Sequence, residues 1–184
     1  MSGLIINPMN NPGLILPSEF FTRDVLDIAP EILGKILVRT LPDGSEIRLP
    51  LTEVEIYRGV EDKACHASKG MTARNRVMFG EGGHIYMYLV YGMHWMFNIV
   101  TGPAGSPEAL LIRGVGTVFG PGRVTKLLQM DGSFYGEPIA VSPRIRIENA
   151  PSIVRYSTGP RVGIQYAGEP WVSKPWRLRV TSDE

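Results

Sequence analysis

Thr52-Glu53-Val54-Glu55-Ile56-Tyr57 is the stretch that orders this chain. Side chains on a β-strand alternate between two faces, so Glu53, Glu55 and Tyr57 project one way and Thr52, Val54 and Ile56 the other. Two of the latter three are apolar and suit a core. The acidic face is either solvated or a site, and on spacing alone the solvated reading leads, because most strand carboxylates are surface groups. The stretch completes a longer run, Glu46 to Tyr57, which reads as a return strand after Lys35 to Leu41 and the turn signal Pro42-Asp43-Gly44.

Residues 58–82 carry many charges and no strong periodicity. A connection of that length inside a small domain is usually functional. It holds a lone His66 and then Arg74-Asn75-Arg76, with Met78 and Phe79 close behind. A lone histidine is more often structural than catalytic. Charges beside exposed apolar groups can hold phosphates while wedging a base stack, although a salt-bridged loop explains them equally well.

From Gly83 to Val100 two strands flank Tyr91-Gly92-Met93, a tight-turn signal. Tyr86 and Tyr88 share one face, Met87 and Leu89 the other. A tyrosine at a hairpin tip is poorly placed for a core, and a DNA base stack accepts such a wedge. Asn98, between Phe97 and Ile99, is an amide that needs partners, and a pocket that reads a base edge supplies them. Residues 108–115 form another apolar strand that delivers Arg113.

Towards the N-terminus, residues 1–17 are rich in Asn, Pro and Gly and are expected to form a surface arm, with Phe20 and Phe21 as anchors. Val25, Ile28, Ile32 and Leu33 can share one helical face, with Asp27 as cap, Pro30 in the first turn and Gly34 at the end. Gly120-Pro121-Gly122 breaks the chain before a short helix, Arg123 to Met130. The remainder, punctuated by Pro143, Pro151, Pro160, Pro170 and Pro175, reads as short strands and loops. No repeat or linker divides the chain. The expected fold is therefore one α+β domain over residues 18–184: a curved, mostly antiparallel sheet with a protruding hairpin and a few short helices.

Bulk properties narrow the functional classes. The single cysteine, Cys65, excludes an intramolecular disulfide, and three histidines, His66, His84 and His94, make a zinc site unexpected. Neither a ligand cluster nor a phosphate-cradling glycine motif points to a metal or organic cofactor, so none is expected. The longest apolar run, Ile85 to Val100, is broken by Gly92, His94 and Asn98 and does not read as a membrane span. With no signal-peptide pattern, a reducing cytoplasm is the expected compartment. Net charge is only +1, yet residues 1–110 hold 9 Lys/Arg against 12 Asp/Glu, and residues 111–180 hold 10 against 4. That asymmetry suggests a basic face from the C-terminal third, suited to a polyanion.

Taken in order, T-E-V-E-I-Y (52–57), D-K-A-C-H (62–66), R-N-R-V-M-F (74–79), Y-M-Y-L-V-Y-G-M (86–93), N-I (98–99) and L-L-I-R (110–113) resemble the alkyladenine (methylpurine, 3-methyladenine) DNA glycosylase family. The C-terminal R-V-G-I-Q-Y-A-G-E (161–169) and K-P-W-R-L (174–178) also fit, so the resemblance runs from about Phe20 to Val180. It implies a monofunctional glycosylase of base excision repair acting on damaged purines in double-stranded DNA, in a compact, bacterial-like, nucleoid-associated form for which a monomer suffices.

By the same resemblance Glu55 is the carboxylate that deprotonates water for attack at the sugar C1′. Arg113 and the backbone carbonyl of Val162 help to place that water. Tyr57, His66 and Tyr88 stack around the flipped base, and the His66 backbone contacts its edge. Asn98 clashes with the exocyclic amine of normal guanine. Tyr91 fills the gap left in the duplex, and Met93, Arg74, Arg76 and Met78 complete the DNA-contacting set. No lysine stands at the Glu55 position, which implies direct hydrolysis rather than a Schiff-base lyase step. Cys65 beside the stacking histidine suggests sensitivity to alkylation or oxidation. The competing readings are a non-catalytic nucleic-acid-binding module and a small-molecule hydrolase. A mere binder has no use for a carboxylate in a DNA-facing pocket, where it repels phosphate.

Overall fold

Glu46–Arg58 forms a single strand of 13 residues, β2, between β1 (Ile36–Thr40) and β5 (Glu108–Val115). The computed structural model describes residues 13–151 and 155–181. Residues 1–12 of the expected arm lie outside these. The part that is described is pinned: Gly13 N–H donates to Asn149 O and Leu16 N–H to Ile147 O, both at 2.8 Å.

The first half of β2 pairs with β1, from Ile36 opposite Pro50 to Thr40 opposite Glu46. The second half pairs with β5, and residues Glu53 to Glu55 also pair on their other edge with β9 (Arg177–Val180). The hairpin strands β3 (Ile85–Val90) and β4 (His94–Thr101) extend the sheet beyond β5. β6 (Val118–Phe119) pairs β5, β7 (Ile145–Glu148) pairs β1, and β8 (Tyr156–Gly159) pairs β9. Every pairing among the described residues is antiparallel. The α+β single-domain expectation holds.

Two irregularities sit where β2 changes partners. Leu51 faces Val115 and Glu53 faces Gly114, which leaves Thr52 unmatched; Glu53 faces Gly114 and Val54 faces Ile112, which leaves Arg113 unmatched. Such bulges bend a strand and re-aim side chains, often beside active sites. Gly114 is required for this fit, since a Cβ there would lie 2.8 Å from Glu53 Cβ and 2.9 Å from Thr52 Oγ1.

One face of the sheet is the core. Val54, Ile56, Leu110, Ile112, Ile99, Phe97, Ile85 and Met87 pack there against the inner face of α2 (Val25–Ile32) and residues of α3 (Pro121–Leu127). Burying each such side chain contributes about 1.5–3 kcal/mol relative to leaving it exposed. The helix over 22–33 forms, but its cap is Asp24, whose side chain accepts from Leu26 N–H at 2.9 Å. Asp27 lies within the first turn, and Pro30 is interior. α1 (Ser18–Phe21) buries Phe20 and Phe21, as their reading as anchors requires. α3 begins at Pro121, two residues earlier than expected, and ends at Leu127.

Candidate active site

The opposite face is built from a row of side chains set by register. Tyr86 pairs with Asn98, Asn98 with Leu111, Leu111 with Glu55, and Glu55 with Arg177. Paired residues in an antiparallel sheet point to the same side. The hairpin tyrosines, the amide and the acid, scattered over 43 positions of sequence from Glu55 to Asn98, therefore come to one surface. Tyr57, opposite Ala109, belongs to the same face.

Both acids are buried, and the solvated reading of this face is overturned. The reason is that β5 and β9 flank both edges of the acidic segment, and Val162, Tyr57 and Arg113 lie directly on Glu55. Glu55 is held from three sides. Oε1 accepts the Val162 N–H at 2.7 Å and lies 3.4 Å from Arg113 Nε; Oε2 accepts the Tyr57 hydroxyl at 3.0 Å. Arg113 Nε also donates to Glu53 Oε1 at 3.1 Å, and Arg177 approaches that oxygen at 3.9 Å. Burial raises the Glu55 carboxyl above its ordinary value, while Arg113, the Val162 N–H and the Tyr57 hydroxyl oppose the shift. The Tyr57 phenol is held well above its ordinary value, by burial first and then by Glu55, so it keeps its proton and donates.

Beside the acid lies a cavity of about 340 Å³, its open mouth included, lined by Tyr57, Ala64, His66, Met78, Tyr86, Tyr88, Asn98, Ala109 and Tyr166. His66 Nδ1 is 2.8 Å from the Tyr86 hydroxyl, and its ring meets Tyr88 edge-on at 4.5 Å between centroids. Partial burial, and then Arg74, lowers the His66 pKa to about 4, so the imidazole is neutral at pH 7. Asn98 Nδ2 donates to Tyr86 O at 3.1 Å and Met96 O at 3.3 Å. Those bonds fix the amide in the cavity wall.

Two groups that sequence reasoning passed over hold this arrangement. Arg161 and Asp62 form a fully buried bidentate pair at 2.6 and 2.9 Å, and Arg161 also donates to Ile56 O at 2.9 Å, between Glu55 and Tyr57. Asn75 accepts from Thr72 N–H at 2.6 Å and donates to His66 O at 2.9 Å and Gly70 O at 3.0 Å. It knits the loop that presents His66. The buried pair could not be read locally, because Asp62 and Arg161 are 99 positions apart; the Asn75 bonds are local, but the residue type alone does not single them out.

At the hairpin tip Tyr91 is 87% exposed and Met93 69%. Arg74 and Arg76 are exposed too, and Arg74 lies 5.2 Å above the Tyr88 ring. Met78 departs from the expectation. It is buried in the cavity wall with Tyr86 and Val100 around it, so neither it nor the half-buried Phe79 can wedge a duplex. Cys65 is buried as well, and burial pushes its thiol up to about 12, which removes the expected sensitivity to oxidation. Part of the basic C-terminal third is spent on pairs with the acidic part: Arg113 and Arg161 pair inward with Glu53 and Glu55 and with Asp62, and Arg146 pairs at the surface with Glu46. Arg123 and Lys126 remain exposed, lining a groove with His94 and Met96 next to the hairpin.

Comparison with known proteins gives a consistent result. The family model described as methylpurine-DNA glycosylase matches residues 19–119 and 115–184. A protein of Methanocella arvoryzae is 40% identical, over 89% of this chain and 91% of its own length. Proteins of Streptomyces avermitilis and Myxococcus xanthus are each 38% identical, over 91% and 92% of this chain and 88% and 91% of their own lengths. All three relatives carry the name "Putative 3-methyladenine DNA glycosylase".

Proposed function

The chain belongs to the methylpurine-DNA glycosylase family, and from that premise we propose that it frees alkylated and deaminated purines from double-stranded DNA by direct hydrolysis. The class includes 3-methyladenine, 7-methylguanine, hypoxanthine and ethenoadenine. Family membership makes the protein a DNA glycosylase of alkylation repair. The hydrolytic mechanism and the range of lesions are the proposal.

One observation carries the reading: a carboxylate with no solvent exposure, gripped by Val162 N–H, Tyr57 and Arg113, beside an aromatic cavity whose lining includes the hairpin residues Tyr86 and Tyr88. A purine inside a duplex exposes neither its glycosidic bond nor its edges, so it must be everted. Tyr91 at the exposed tip fills the vacated stack, and Met93, Arg74 and Arg76 grip the strand around it. Tyr57, His66 and Tyr88 receive the base. A cationic alkylated purine gains from these rings through cation–π attraction, and the neutral His66 does not repel it. Asn98, fixed in the wall, stands against the exocyclic amine of guanine.

As the base leaves, positive charge develops on the sugar. The Glu55 carboxylate stabilises that charge and accepts a proton from the attacking water, whose oxygen bonds to C1′. Arg113 and the Val162 carbonyl place that water. No lysine is among the described residues that line the cavity, which supports hydrolysis without a Schiff base. Borohydride trapping of a protein–DNA adduct would refute that step. One chain supplies every group named, which favours a monomer. No described helix is long and apolar enough to cross a membrane; the proposed place of work is the nucleoid in the cytoplasm.

The test is base release from duplexes that each carry a single lesion. Release of one or more of these purines is expected. A purified, folded protein that frees none of them from any duplex would sink the proposal.

A further inference from the structure

Residues 161–168 tie the buried acid to the rim of the cavity. Arg161 anchors the segment on Asp62, and Val162 donates to Glu55. Ile164 and Ala167 then bury against Ala64, with Tyr57 and Trp171 packed on them. The short turn Gln165–Ala167 leaves Tyr166 pointing outward, 72% exposed, its hydroxyl donating to Ala64 O at 3.3 Å. Its ring borders the aromatic cavity and also a neighbouring cleft that holds Lys63, Lys69 and Arg74.

A large ring this exposed adds little to the stability of the fold, yet its short turn is held by two buried residues, Ile164 and Ala167. It stands on the rim where an everted nucleotide must pass. Resting on the glycosylase reading, we propose that Tyr166 contacts the everted nucleotide through its ring and retains it in the cavity while Glu55 acts. Eversion is a reversible step that competes with return to the stack. An aromatic surface at the rim lowers the rate of return without touching the bond that breaks. The hydroxyl bond to Ala64 orients the ring and is secondary to it.

Single-turnover base release, followed against enzyme concentration on the lesion that the unaltered protein frees fastest, tests this with Tyr166→Ala and Tyr166→Phe. Tyr166→Ala is expected to slow release about 10-fold, the scale of one base–aromatic stack. Tyr166→Phe is expected to stay within about two-fold, because it keeps the ring. Thermal midpoint and affinity for undamaged duplex should not move, since the side chain lies outside the core. The proposal is overturned if Tyr166→Ala matches the unaltered protein, if Tyr166→Phe falls as far as Tyr166→Ala, or if binding to undamaged DNA weakens in parallel. An unaltered protein that releases no base overturns the glycosylase reading and this proposal with it. Release by the unaltered protein and by Tyr166→Ala at equal rates overturns this proposal alone.

Discussion

Val162 donates its backbone N–H to Oε1 of Glu55 across 2.7 Å, although 107 positions separate them in the chain. The acid is thus oriented by a peptide group rather than by a mobile side chain. Glu55→Gln keeps an oxygen for that N–H but cannot accept a proton from water. We expect retained binding to lesion-bearing duplex and a loss of release of about 10²–10⁴-fold or more. Normal release by Glu55→Gln would shift the role to Glu53, whose Oε1 shares Arg113.

The raised carboxyl of Glu55 has a consequence for pH. Only the ionised acid can take a proton, so activity falls as pH falls through the folded-state pKa. Because that pKa lies above the ordinary value, the acid limb of single-turnover release should lie above the usual glutamate range. A limb centred at or below pH 4 would contradict this. Stability gives a second readout. The His66 pKa is depressed to about 4, so the neutral form is favoured by folding and stability drops as pH falls from about 6.5 towards 4. His66→Gln should remove that part of the loss in denaturant titrations.

Breaking the Arg161–Asp62 pair leaves one buried charge without its partner. Asp62→Ala should cost about 3–5 kcal/mol of stability. Glu31→Ala, which breaks the exposed pair with Arg23, should cost less than about 1 kcal/mol. Urea midpoints of the two variants compare them directly, and equal midpoints would show that burial does not set the difference.

Tyr91 is the most exposed of the large apolar or aromatic residues described. Tyr91→Ala should leave the thermal midpoint unchanged while weakening lesion-duplex binding about 10-fold, on the scale of a lost stacking contact. Fluorescence anisotropy with lesion and undamaged duplexes reads this out; unaffected binding would remove the wedge.

Cys65 should resist thiol reagents. With its thiol pushed up to about 12 and buried, almost no thiolate exists at pH 8. Iodoacetamide applied to the folded protein should leave both mass and activity unchanged, and labelling should appear only on unfolding.

The alternation in residues 52–57 placed Val54 and Ile56 in the core and turned Glu53, Glu55 and Tyr57 to one side, because strand geometry forces a period of two. The hairpin around Tyr91-Gly92-Met93 and the helix over 22–33 were legible for similar local reasons. Burial was harder to read. Whether Glu55 or Met78 meets solvent depends on what packs over it: Val162, far along the chain, covers Glu55, and the hairpin strands bring Tyr86 and Val100 over Met78. The helix cap moved from Asp27 to Asp24 because both residue types suit the role, and only backbone geometry selects one.

The order of chemical groups along the chain is therefore a property of the sequence alone: an acid strand, a histidine loop, a tyrosine hairpin and an arginine strand. Their convergence is not. Arg113 reaches both acids because successive bulges leave it unmatched on β5, and Glu55 is gripped because Arg161, anchored on Asp62, brings Val162 over it. The Arg113–Glu53, Arg161–Asp62 and Val162–Glu55 contacts join residues 60, 99 and 107 positions apart. They depend on strand register and on closure of long loops, which local periodicity does not encode.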